Sequence, residues 1–179
     1  MIAAALTLAA GLAGAAAWQE QEIPRARPEQ EHDFLKNYVG EWDFTQSMRM
    51  SPADPWMEIQ GTQTGRLVGD LWLLLEWKSD LEGAPMTGIG LVGYDPKKEK
   101  FVSTFVDSMH TAMASGEATL ERRTLTTEVS TTDPKTGKPA KTRVVERVTG
   151  KDSISWEMYG TDKEGREYQC GKGESTRRK

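Results

Sequence analysis

An all-β fold is predicted: about ten antiparallel strands in an up-and-down barrel, behind one short N-terminal helix. Three features of the sequence predict it. Apolar and polar residues alternate with period two through most of the chain after residue 40. Clusters of Gly, Pro and Asp interrupt that alternation at nearly even intervals. A single segment carries a helical period. Successive hairpins of this kind close into a barrel or pack as a sandwich. Closure removes the edges that an open ten-stranded sheet would present.

The helical segment is Glu29 to Val39. It places Phe34, Leu35 and Tyr38 on one apolar stripe and His32 on the polar face, and Gly40 stops it. The first strand follows, with Trp42, Phe44, Gln46 and Met48 alternating with Asp43, Thr45, Ser47 and Arg49. A second run covers Met57 to Val68. Gly69-Asp70 then signals a tight hairpin into Leu71 to Lys78, which is apolar on both faces and reads as a central strand. The later runs are 86–94, 100–108, 112–120, 123–131, 141–149, 153–159 and 166–178. No domain linker interrupts 40–179, so 29–179 reads as one domain.

Residues 2–17 are almost all Ala, Leu and Gly, and no charged side chain precedes Glu20. That stretch is short for a bilayer span, which needs about 20 residues. It reads as a signal peptide over 1–17, cut after Ala17, with Ala13-Gly14-Ala15 as a second possible site and an uncleaved anchor as the alternative. The n-region has no Lys or Arg. The expected location is exported, periplasmic or secreted, with no integral span after cleavage. Residues 18–28, polar with two prolines, read as a flexible lead-in.

Composition excludes several functions. The net charge of −4 provides no concentrated basic footprint, so no nucleic-acid partner is expected. One cysteine, Cys170, forms no intramolecular disulfide, and with only His32 and His110 there is no Cys/His zinc set. The oligomeric state is open.

The helix followed by Val39-Gly40-Glu41-Trp42 resembles the opening of the calycin barrels, the lipocalin and fatty-acid-binding-protein group. In that group an arginine of the last strand commonly covers the tryptophan. Here the resemblance implies Arg178 over Trp42, with Arg177 as the alternative. Five stretches carry a closer likeness. They are Phe34-Leu35 with Val39-Gly40-Glu41-Trp42, residues 88–95, residues 102–109, residues 133–139 and Glu157-Met158-Tyr159. On these the chain is similar to a bacterial family named as domain of unknown function 1579. That likeness implies a lipocalin-like barrel and supplies no catalytic residues.

Gly88-Ile89-Gly90-Leu91-Val92-Gly93 spells G-x-G-x-x-G, but Tyr94-Asp95-Pro96 follows as a turn and no helix opens there. The glycines are expected to make room on one strand. The phosphate-loop near-match at Gly165 to Lys172 is rejected, since its spacing is wrong and it lies on a strand. No metallohydrolase ligand pair or nucleophile elbow occurs.

Three carboxylates lie within apolar strands. Asp107 shares the phase of Phe101, Ser103 and Phe105 and is the candidate interior polar group, or else a structural hydrogen-bonder. Glu157 is expected to face water, and the direction of Glu76 is open. Trp77, Phe105, Met113, Trp156 and Met158 either line a cavity or fill a core. No cofactor is predicted; haem ligated by His110 is the one option, against a plain turn histidine. The candidate ligand-binding set is therefore Trp77, Phe105, Asp107, His110, Met113, Trp156 and Met158. The expected function is an exported, non-enzymatic barrel that binds a small apolar molecule. The alternatives are an enzyme using Asp107 as general acid/base, or a structural domain with a filled core.

Overall fold

The computed structural model describes residues 25–81, 83–133 and 136–179. The signal segment expected at 1–17 lies outside the described residues, and of the lead-in only 25–28 falls within them, exposed and without regular structure.

The helix is a 3-10 helix, Gln30–Tyr38. Three residues per turn put positions i, i+3 and i+6 on one line. That line is His32, Leu35 and Tyr38, and all three are buried. The expectation that His32 lies solvated is therefore corrected: an α-helical period put it on the polar face, whereas the tighter winding turns it inward. Its Nδ1 accepts the Glu29 N–H at 2.9 Å, and its ring meets Tyr94 edge-on. Phe34, a third of a turn away, still packs against Tyr38 and Phe101.

Ten strands follow among the described residues: β1 Gly40–Met48, β2 Met57–Val68, β3 Trp72–Leu81, β4 Ala84–Asp95, β5 Lys100–Asp107, β6 Ala114–Glu121, β7 Thr124–Thr132, β8 Pro139–Val148, β9 Ser153–Thr161 and β10 Glu167–Arg177. Each pairs antiparallel with the next, and β1 pairs with β10, so the sheet closes as an up-and-down barrel. The sandwich alternative falls away, and no strand is central in a closed ring. Register slips between Gln169 and Gly171, leaving Cys170 as the extra residue of a bulge, buried and unbridged. Gly69 and Asp70 both have positive φ, 62° and 57°, as a two-residue hairpin turn requires.

Four connections and the helix lie at one end of the barrel, and five connections lie at the other. The helix end is the packed one. Leu35, Tyr38, Trp42, Leu73, Leu75, Phe101, Leu125, Val148 and Ile154 form its buried core. Gly65 lets the helix come this close: a Cβ there would sit 2.1 Å from the Tyr38 carbonyl oxygen. The Trp42 indole donates to that same oxygen at 3.0 Å. The arginine over the Trp42 ring is Arg177, at 4.1 Å, and not Arg178. Arg177 pairs with Trp42 across β1 and β10, on the inner face; Arg178, one residue on, points outward to Asp43 at 2.8 Å. The Arg177 guanidinium also donates to the carbonyls of Val39 and Asn37 and to Asp152, which ties the helix exit to the last strand.

Candidate functional site

Along each strand the inner face loosens away from the helix. On β7, Leu125 and Thr127 are buried, then Val129 and Thr131 are partly exposed. On β8, Val148 is buried, then Glu146, Val144 and Thr142 are partly exposed. On β1, Trp42 and Phe44 are buried, then Gln46 and Met48 are partly exposed. These residues point into the barrel, so their exposure is to its lumen. The molecule is a cup, with a packed floor at the helix end and an accessible interior toward the mouth.

Glycines shape the wall of that cup. Gly88 and Gly90 on β4 lie under the rings of Phe105 and Trp77, each within 2.9 Å of where a Cβ would stand. Gly171 and Gly173 on β10 lie under the Trp156 ring in the same way, at 3.1 and 2.8 Å. Large rings set against bare backbone lie along the wall instead of crossing the interior. The G-x-G-x-x-G run is thus a seat for two aromatic rings, and Gly93 does the same outside for Trp72.

Four expected site residues meet in this lumen. Trp77 and Phe105 touch edge to face, with centroids 5.4 Å apart, and the Trp77 N–H donates to the buried Gln63 side chain at 2.8 Å. Trp156 and Met158 face inward from β9, four strands from both β3 and β5 around the ring, and so line the opposite wall.

The other three lie at the rim. Asp107 takes the inward phase of Phe105, but its Oδ1 accepts the backbone N–H of Met109 and of His110, both at 2.8 Å. Its carboxyl also holds His110 Nδ1 at 2.9 Å. Asp107 therefore shapes the connection from β5 to β6. His110 is half exposed on that connection. Met113 stands on it 61% exposed, with Met109 and Met50 also exposed at the mouth. Glu157 faces outward, paired to Arg147 at 2.8 Å, and Glu76 is also outward, near Thr64.

One interior group escaped the sequence reading. Glu146 lies between Leu125 and Trp156 in register, in phase with Val144 and Val148. The alternation in Val144-Val145-Glu146-Arg147-Val148 carries that signal, with Glu146 in the phase of Val144 and Val148. Burial pushes its carboxyl from 4.5 up to about 7. No hydrogen bond or ion pair reaches it among the described residues. The Tyr38 hydroxyl at the floor is buried without a hydrogen-bond partner, and its pKa is raised well above 10.0 by burial first and by Glu146 second. Among the described residues no cluster of His, Cys, Asp and Glu could hold a metal ion, and no helix is long and apolar enough to cross a membrane.

A closed antiparallel meander, floored by a 3-10 helix and sealed by a tryptophan under an arginine, defines a calycin-type barrel. The chain belongs to the family described as "Protein of unknown function (DUF1579)", whose model matches residues 27–177. No curated protein matches it. Among solved structures it is similar to Rv2717c from M. tuberculosis, at 13% identity over 84% of this chain and 99% of that one, with a TM-score of 0.62. It is also similar to the S-type phycobiliprotein lyase CPES from Guillardia theta, at 12% identity over 83% and 93% of the two chains, with a TM-score of 0.57. At such identities the likeness is one of fold.

Proposed function

We propose that this protein is an exported binding protein that takes a small, mostly apolar molecule into the mouth half of its barrel. One observation carries the reading: Trp77, Phe105 and Trp156 lie against glycine-bearing strands and remain partly exposed to the interior. A core that only needed filling would use those glycine positions for side chains, because interiors pack densely. An interior with apolar walls and a few polar groups is the usual character of a small-molecule site. Asp107 serves the rim connection, so the binding reading is favoured over one that makes it a general acid/base.

The test is direct. Protein purified from its natural compartment is extracted with organic solvent and the extract analysed by mass spectrometry. A stoichiometric small molecule is the expected result. A clean extract, together with no thermal shift across a panel of lipids and apolar metabolites, would reject the proposal. A Soret band in the purified protein would replace it with haem binding and implicate His110. Export is tested by N-terminal sequencing of protein made from the full chain, with Trp18 expected as the first residue.

A further inference from the structure

Two carboxylates face the lumen, and their situations differ. Asp107 is met by two backbone N–H groups and an imidazole. Glu146 is partly exposed to the lumen, and no hydrogen bond or ion pair meets it among the described residues. A carboxylate turned into an interior without a protein partner is open to a ligand's donor. Tyr38 is 5% exposed, and its hydroxyl is likewise unmet at the floor. Neither group supplies the other's need, since no hydrogen bond joins them.

The missing partner has a definable chemistry. The one arginine on the inner face among the described residues, Arg177, is occupied by the Trp42 ring, main-chain carbonyls and Asp152. The lumen therefore has acidic groups and no free cation. Trp156, opposite Glu146 in register, lays its ring along the β10 glycines of the same interior. An unpaired carboxylate in an interior lined by aromatic rings favours a cation with N–H donors.

Building on the binding reading above, we propose that Glu146 holds the protonated amine of an apolar amine ligand, whose body lies along the ring-lined wall. The ammonium donates to the Glu146 carboxylate. A fatty acid would bring a second negative charge to the same place.

Three probes with one ring system separate the possibilities: 2-(1-naphthyl)ethylamine, 2-(1-naphthyl)ethanol and 1-naphthylacetic acid, titrated calorimetrically at pH 7.5 into the full barrel. The expected order is amine first, at least tenfold tighter than the alcohol, and acid last. Glu146→Gln should bring the amine to the level of the alcohol and leave the alcohol within about twofold. Carbon NMR of the Glu146 carboxyl in the unmodified protein gives a second readout: the amine should lower its titration midpoint and the alcohol should not. Equal affinity for amine and alcohol, a preference that survives Glu146→Gln, or tightest binding by the acid would overturn the amine assignment and leave the apolar lumen standing. Failure of all three probes to bind would overturn both.

Discussion

Glu146 and Arg177 show what single positions do in this molecule. With its folded pKa raised from 4.5 to about 7, Glu146 holds its proton more tightly folded than unfolded. The native state therefore binds the extra proton between those values, and stability falls as pH rises through that window. Glu146→Gln removes the slope. It should gain on the parent protein by on the order of 2–3 kcal/mol between pH 5 and 8, read from paired denaturant titrations. Tyr38, raised by burial first and by Glu146 second, stays neutral throughout the range. Arg177 combines a ring contact with charged hydrogen bonds to the helix exit, largely out of water. Arg177→Ala should cost about 3 kcal/mol or more in equilibrium unfolding. Arg178→Ala should leave the midpoint where it was, because its ion pair with Asp43 is exposed.

Elements are seated by glycines of two kinds. At Gly65 the obstacle is the Tyr38 carbonyl, which is backbone and held by Trp42. Gly65→Ala must lift the helix from the floor and should cost roughly 3 kcal/mol, with loss of near-ultraviolet aromatic signal. At Gly93 the obstacle is the Trp72 ring on the outer surface, 38% exposed and free to swing. Gly93→Ala should cost under about 1 kcal/mol by the same measurement. The strands were legible because burial of one face imposes period two, and the hairpins because Gly69-Asp70 and similar pairs mark chain reversal. The helix was legible as an element but not in its winding. Nothing local in Gln30–Tyr38 distinguishes 3.0 from 3.6 residues per turn; the barrel floor below it does, and it buries His32.

At the scale of the whole barrel, order is graded from floor to mouth. Floor residues such as Leu73, Phe101 and Ile154 lie in the buried core, while the rim carries exposed Met50, Met109 and Met113. Amide hydrogen exchange should follow the gradient, with Leu73, Phe101 and Ile154 the slowest and the β5–β6 connection among the fastest. Slow exchange at the rim equal to that at the floor would mean that the mouth is packed. Ligand addition should raise protection at Val144 and Met158 more than at the floor. The candidate site was half legible at this scale. Trp77, Phe105, Trp156 and Met158 stand where the alternation put them. Asp107 has the expected phase, yet rim N–H groups occupy its carboxyl, and no spacing rule counts those.

The sequence by itself determined the strand rhythm, the ten hairpin-linked runs, the helix before Trp42 and the inward phase of the aromatic residues. Each of these depends on neighbours within a few residues or on the two faces of one strand. Only the tertiary structure decided which arginine covers Trp42, which carboxylate lacks a partner and whether the glycines open the interior or merely bend it. Those answers depend on what lies across the barrel from a residue, and closure brings together groups more than a hundred positions apart, as it does Arg177 and Val39.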